Sequence, residues 1–377
     1  YVNIENGYEI LKKINVNKAI KITGGLQATA TPELVFKNFP NIDYLIMGES
    51  EMVLAEIADS LDNGKSPAEI NGVSFIKDNQ VIKNDKQKII NDLDILTPYD
   101  YSIFDDQVFF RGYNGEVVRA VDFELSRGCI YSCAYCVETI IQNYYGFNES
   151  SKKTGAINNF KSYLRHKSAK NIFKEIKDLN NEKKINFIRC QDTNFLTNDK
   201  KVLTELSELM ENSNLKIRLY IETRPEGIND KSVALLKKLK VDGVGMGIEL
   251  SAEDFRETEL NRFASQSKTI KAFDLLKKNH IKRTSYNVIG FPNQTEDSIL
   301  QTIEFNKLLN PDNITVAFYS PYYGTAQHRE GVKKGVFDEF ESGADATLRS
   351  VSRSLKLSKE KLEYYKMNFV SLVRDGK

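Results

Sequence analysis

Apolar residues along this 377-residue chain follow two rhythms that alternate. Short, nearly continuous or period-two runs give way to stretches in which apolar residues return every third and fourth position, so strands and helices are predicted in turn. Residues 4–15 predict a helix with Ile10, Leu11 and Ile14 on one face. Residues 19–23 predict a strand that runs into Gly24 and Gly25, and Pro32 stands in the first turn of the next helix. A second strand, residues 42–47, leads to Gly48-Glu49-Ser50-Glu51 and then to a helix expected to bury Leu54, Ile57, Ala58 and Leu61. Strand, glycine turn and helix, repeated, predict a parallel doubly wound sheet. Residues 71–83 read as a hairpin turning at Asp78 and Asn79, and a polar linker runs on to Pro98.

The alternation resumes at residue 118, with strands expected at 118–125, 185–189, 217–222, 244–249, 285–289 and 314–319. The intervening helices carry Ile172, Phe173, Ile176 and Leu179, then Val202, Leu206 and Leu209, then Leu236 and Leu239, then Ile270, Phe273 and Leu276. A further helix covers residues 296–309, and Ser168 has the place of an N-cap. The pattern predicts an α/β fold, a partial (β/α)6 parallel barrel preceded by the remnant of a Rossmann-like unit. The expected divisions are 1–65 for that remnant, 66–114 for hairpin and linker, 115–327 for the barrel and 328–377 for a helical tail. A parallel barrel gathers its site at the carboxyl ends of its strands. The loop after the first barrel strand, Asp192, Glu222, Glu249 and Gly290 all fall at such ends.

Composition narrows the functional classes. Charges nearly cancel at net +1, which favours neither nucleic acid nor an anionic membrane as partner. No apolar run approaches the roughly 18 residues of a membrane span, and no signal-peptide pattern opens the chain. The chain begins at Tyr1 inside an expected helix, which suggests a fragment or processed form. Four cysteines in 377 residues, three of them clustered, fit a reducing cytoplasm.

The clustered cysteines carry the chemistry. Cys129, Cys133 and Cys136 follow one another as Cys-x3-Cys-x2-Cys beside Arg127 and Gly128. Thiolates suit iron–sulfur clusters and zinc. A structural zinc site takes four ligands, and no second cysteine or histidine pair exists to complete one. A disulfide framework needs many cysteines in a short secreted chain. Three thiolates on a four-iron cluster leave one iron open to a small molecule.

With Tyr135 before the last cysteine, this segment resembles the radical S-adenosylmethionine (SAM) enzymes, over roughly residues 115–325. The stretch before it resembles the end of the cobalamin-binding domain found in one large subgroup. The resemblance implies a 4Fe–4S cluster on Cys129, Cys133 and Cys136, with SAM chelating the open iron and being cleaved to a 5′-deoxyadenosyl radical. It further implies that Tyr135 and Gly290, in Gly290-Phe-Pro, lie by the adenine and that Arg262 pairs with the SAM carboxylate. Asp192, where many relatives carry Gly-Gly-Glu, is expected to accept from the SAM ammonium. Glu222 and Glu249 are expected to meet ribose hydroxyls or the ammonium, with an ion pair to Arg224 or another barrel residue as the alternative for Glu222. Tyr322 or Tyr323 is expected to face substrate. Gly24 and Gly25 are the expected cobalamin contacts, although the early elements of that domain are missing from this chain and cobalamin stays open. Cys190 reads as a buried, inert thiol, and His166, His280 and His328 as surface or structural.

The leading expectation is methyl transfer to an unactivated carbon of a small molecule, in the cytoplasm, with an electron donor such as flavodoxin or ferredoxin. No nucleic-acid or membrane partner is expected. The rivals are a radical oxidative cyclase or rearrangement enzyme, and an iron–sulfur electron carrier, which would normally use four cysteines.

Overall fold

The structure is a computed structural model that describes residues 7, 10, 13, 19–147, 149–337 and 354–375. The helix expected at 4–15 falls outside the described residues except for 7, 10 and 13, which are helical.

The first sheet starts with β1 (Ile22–Gly24) and β2 (Tyr44–Ile46), which are parallel with Ile22 opposite Tyr44. Two short helices, α1 (Leu26–Ala30) and α2 (Pro32–Asn38), make the crossover, with Pro32 at the start of the second. The hairpin of β3 (Val73–Lys77) and β4 (Gln80–Lys83) turns through Asp78 and Asn79, whose φ values of 51° and 59° are the left-handed pair a tight hairpin turn needs. It does not stand apart as a connector: β3 pairs antiparallel with β2, Ile46 opposite Val73, and completes a four-stranded sheet. The pairing covers an edge of β2 that would otherwise expose its backbone groups. Helix α3 (Glu51–Asp62) buries Val53 and Ile57 against Ile46 and Val73, while Leu54 is half exposed and Ala58 exposed. The expected apolar stripe is therefore rotated by one position, because Val53 and not Leu54 meets the β2–β3 pair.

The second sheet has seven strands. Six are parallel and supply the expected half-barrel: β6 (Glu116–Phe123), β9 (Phe187–Cys190), β10 (Arg218–Thr223), β11 (Val241–Glu249), β12 (Lys282–Ile289) and β13 (Asn313–Phe318). Strand β5 (Phe110–Tyr113) adds antiparallel to β6 at one edge. A two-residue ribbon, β7 (Ser126–Arg127) with β8 (Arg165–His166), lies outside the main sheet. The cysteine loop leads into α4 (Glu138–Tyr145), and the crossovers are α5 (Ala169–Lys183), α6 (Lys200–Glu211), α7 (Asp230–Lys238), α8 (Glu253–Thr258) with α9 (Gln266–Lys278), and α10 (Glu296–Leu309). Ser168 caps α5 by accepting from the Asn171 N–H at 3.2 Å, as its position predicts.

Outward residues of the strands, among them Ile188, Leu219, Ile221, Val244 and Met246, pack on Ile172, Ile176, Leu206, Leu236 and Phe273 of the helices. Each such side chain contributes about 2 kcal/mol on burial. Helices α11 (Ala326–Lys333) and α12 (Lys359–Arg374) follow the last strand. Leu362, Tyr365, Phe369 and Val373 of α12 pack on Ile289, Ile303 and Phe318, so the tail covers the β13 edge of the sheet.

Inside the curve, β11 carries glycine at every second position, Gly243, Gly245 and Gly247. A Cβ at Gly243 would lie 2.9 Å from the Tyr220 ring, one at Gly245 2.5 Å from the Tyr286 ring, and one at Gly247 3.0 Å from Arg262 Nη2. The stripe makes room for three layers of large side chains. Tyr113, packed on Phe187 with ring centroids 4.4 Å apart, fills the amino end. Tyr220 and Tyr286 share a 2.7 Å hydrogen bond above it. Arg262 and Glu249 form the top layer.

Candidate active site

The cysteine loop leaves β6 at the carboxyl edge of the half-barrel and is pinned on every side. Gly128 sits at φ 96°, and a Cβ there would stand 2.7 Å from the Tyr163 carbonyl, so only glycine turns the chain from β7 into the loop. The Gln142 amide, from α4, donates to the carbonyls of Cys129 at 3.0 Å and Tyr131 at 2.9 Å. The Asn261 amide donates to the Ser132 carbonyl at 2.9 Å, the Ala134 N–H to the Leu260 carbonyl at 2.9 Å, and the Gln327 N–H to the Ala134 carbonyl at 3.0 Å. The loop is thereby tied to the ends of β11 and β13.

Cys133 is buried and Cys129 and Cys136 half-buried, all as free thiols. Burial pushes the Cys129 thiol up to about 12, and the charge of Cys133 adds to the rise. Cys136 is raised by burial and then by Cys133 and Cys129. Three ionised thiols therefore repel one another here unless a cationic centre sits among them. Among the described residues no three His, Cys, Asp or Glu side chains stand close enough to share one metal ion. A cluster with iron at several corners takes its thiolates further apart than a single ion does.

Asp192 does not face the space above the loop. It is 1% exposed, accepts from Leu125 N–H at 3.3 Å and Asn198 Nδ2 at 3.0 Å, and is bonded by the Ser126 hydroxyl. These bonds tie the carboxylate to the root of the cysteine loop, whereas it was expected to take the SAM ammonium. Burial pushes its carboxyl up to about 6.

Buried charges ring the loop on its inner side. Arg224, just past the end of β10, is 6% exposed and lies with its guanidinium carbon 3.7 Å from the Tyr131 ring centroid. Its Nη1 is 4.0 Å from Cys133 Sγ, and its Nη2 pairs with Glu226 at 2.6 Å. Arg262, 5% exposed, donates to the Gly247 carbonyl at 2.5 Å and stands 3.8 Å from Glu249. Glu249 takes a left-handed φ of 61° where β11 slips register against β12, which turns its carboxylate into the lumen. Arg256 of α8 is 1% exposed. Four buried atoms in this group have no hydrogen-bond partner: Glu226 Oε2, Arg256 Nε and Nη2, and Arg262 Nε. Unmet donors and an unmet acceptor side by side in a buried site are costly unless a ligand completes them.

The remaining expected residues divide. Tyr135 packs edge-on to Phe291, centroids 6.1 Å apart, beside Gly290 at φ 87°. Burial raises the Tyr322 hydroxyl, and the nearby Cys136 adds to the rise, whereas Tyr323 is buried against His328. Glu222 lies a layer lower, in an ion pair with Arg189 at 2.9 Å and accepting from the Tyr286 hydroxyl at 3.1 Å. That is the ion-pair alternative, met by Arg189. Gly24 and Gly25 are exposed at the end of β1, and Gly25 has open space where a Cβ would stand. Cys190 is buried on the helix side of the sheet, away from the lumen. Arg224 was expected only as an ion-pair partner for Glu222, and it pairs with Glu226 instead; Glu226 and Arg256 were not singled out from the sequence. The signal was present in Thr223-Arg224-Pro225-Glu226, a charged pair directly after a barrel strand.

Residues 123–305 match the Radical SAM superfamily. The chain is 26% identical to an uncharacterised methyltransferase of Pyrococcus horikoshii, across 84% of this chain and 64% of that protein. It is 25% identical to the anaerobic magnesium-protoporphyrin IX monomethyl ester cyclase of Rubrivivax gelatinosus, across 89% of this chain and 57% of that one. Its fold is similar to the radical SAM methyltransferase TsrM of Kitasatospora setae, with a TM-score of 0.70 at 15% identity over 88% of this chain and 61% of that one. It is also similar to the cobalamin-dependent radical SAM enzyme OxsB, with a TM-score of 0.72 at 16% identity over 97% of this chain and 57% of that one. The chain thus spans about three-fifths of the length of these relatives.

Proposed function

Residues 123–305 make this chain a member of the radical SAM superfamily, and from that premise we propose that it forms the cluster-bearing part of an enzyme that transfers a methyl group to an unactivated carbon of a small molecule. The cluster and SAM together supply one-electron cleavage of a sulfonium bond, which yields a radical that takes hydrogen from substrate. Cys129, Cys133 and Cys136 would hold the 4Fe–4S cluster. The orphaned atoms fit the methionyl end of SAM: Arg256 Nε and Nη2 and Arg262 Nε toward the carboxylate, Glu226 Oε2 toward the ammonium. Glu249 is assigned to the ribose, and Tyr135 with the Gly290 turn to the adenine. Glu222, Arg189 and Tyr286, one layer below, face the volume left for substrate. Arg262 and Arg224 orient by charge, and the tyrosine layers keep water from the amino end.

The single observation that carries this reading is the set of three thiols, one buried and two half-buried, at the mouth of a parallel half-barrel beside arginines with unmet donors. We assign cobalamin to the face of the first sheet at Gly24 and Gly25, an external one-electron donor such as flavodoxin or ferredoxin to cluster reduction, and the cytoplasm as location. Among the described residues no helix is long and apolar enough to cross a membrane. Oxidative cyclisation is the second reading, supported by the similarity to the Rubrivivax cyclase. The test is anaerobic reconstitution with iron, sulfide, SAM and a strong reductant. The wild-type chain is expected to release 5′-deoxyadenosine and Cys133→Ala to release none; equal amounts from both would refute the assignment.

A further inference from the structure

Arg224 brings a buried cation to the edge of the cysteine loop. Its Nη1 lies 4.0 Å from Cys133 Sγ, and both residues are buried, at 6% and 7% exposure. Nothing about this contact is loose. The Arg224 backbone N–H is held by Asn194 Oδ1 at 3.3 Å, and the same oxygen accepts from the Thr223 hydroxyl at 2.7 Å. The guanidinium carbon lies over the ring of Tyr131, a residue of the cysteine loop itself, 3.7 Å from the centroid. Its far side is clamped by Glu226, Nε at 3.1 Å and Nη2 at 2.6 Å. The arginine is thus held by three groups, Asn194, Tyr131 and Glu226, while Nη1 is left pointing at the sulfur.

We propose that Arg224 sets the reduction potential of the cluster held by Cys133, and that Glu226 opposes it, so that the pair fixes how readily the cluster accepts an electron. The inference rests on the cysteines holding such a cluster. Reduction adds one negative charge. A buried guanidinium donating to a ligand sulfur stabilises the reduced form, and a buried carboxylate behind that guanidinium stabilises it less. Low local polarity lets both charges act at this range. Arg224 touches no reacting atom in this account. It is a positioning residue for charge, and the two residues must shift the potential in opposite directions.

The experiment is a redox titration of the reconstituted full chain without SAM, followed by the electron paramagnetic resonance of the reduced cluster. Iron and sulfide content is measured first, so that loss of the cluster, which concerns the cysteine assignment, is told apart from a change of potential. Arg224→Gln is expected to lower the ratio of reduced to oxidised cluster at the wild-type midpoint about tenfold, equivalent to about 59 mV for one electron. Arg224→Lys is expected to restore part of it. Glu226→Gln is expected to raise the ratio. A general loosening of the loop would move both variants the same way, and that result, or no shift in either, overturns the proposal. Should Arg224→Gln fail to hold iron, Glu226→Gln decides alone: an upward shift supports the proposal, and an unchanged or lower potential overturns it.

Discussion

The Asp192 carboxylate is 1% exposed, and burial pushes its pKa from the ordinary 3.8 up to about 6 despite the donors at Leu125, Ser126 and Asn198. Between those two values the folded chain binds a proton that the unfolded chain has released. Stability supplied by this group is therefore present at low pH, falls as pH rises through the window, and is level above it. For a shift of two units the loss is about 3 kcal/mol. Subtracting the unfolding free energy of Asp192→Asn from that of the wild type, measured in urea from pH 4 to 7, should give a difference that declines to about pH 6 and then flattens; a difference constant with pH would reject this account. The cysteine spacing was legible because the three cysteines lie within eight positions and need no tertiary partner to be seen. The role of Asp192 was not, because its partners Leu125 and Ser126 stand 67 and 66 residues away.

At the level of elements, β11 and the turn out of β7 make the site possible by what they lack. A Cβ at Gly245 would collide with the Tyr286 ring at 2.5 Å and Tyr220 Oη at 2.7 Å. Gly245→Ala should break the Tyr220–Tyr286 hydrogen bond and destabilise the fold by about 1–3 kcal/mol through overpacking, seen as a lower urea midpoint with iron binding retained. Gly128→Ala carries a different penalty, a left-handed φ as well as contact with the Tyr163 carbonyl. Here iron retained after reconstitution should fall before global stability does, and full iron loading would contradict the account of the turn. The strands themselves were legible: α10 occupies residues 296–309 as its periodicity predicts, and β6 and β9 to β13 lie where apolar runs were read. The glycine stripe was visible as spacing, but its meaning depended on rings contributed by β5, β10 and β12, which no local pattern connects. The shifted face of α3 failed for the same reason, since β3 decides which side of that helix is inside.

Across the molecule, the first sheet is fastened to the cysteine loop by charge. Glu49, in the turn after β2, pairs with Arg165 at 2.7 Å and accepts from Ile90 N–H at 2.9 Å, while Arg127 reaches Glu51 at 2.6 Å and Glu124 at 2.9 Å. Tyr144 and Tyr145 of α4 press on Gly48, where a Cβ would stand 2.6 Å from each. Glu49→Ala leaves Arg165, 6% exposed, without its carboxylate, and should cost about 3–5 kcal/mol. Limited proteolysis should then cut the stretch between β4 and β5 faster than in the wild type, and unchanged cleavage would count against this docking. Arg165 and Glu49 are 116 residues apart, so the link was beyond sequence reading, although Gly48-Glu49-Ser50-Glu51 had been noticed as a unit. At the opposite pole, Tyr113 stoppers the amino end, and Asn114 and Asn313 bridge the two margins of the sheet beneath it at 2.5 Å. With that end stoppered, nothing the half-barrel holds can leave past Tyr113, and traffic is turned toward the rim that carries the cysteine loop.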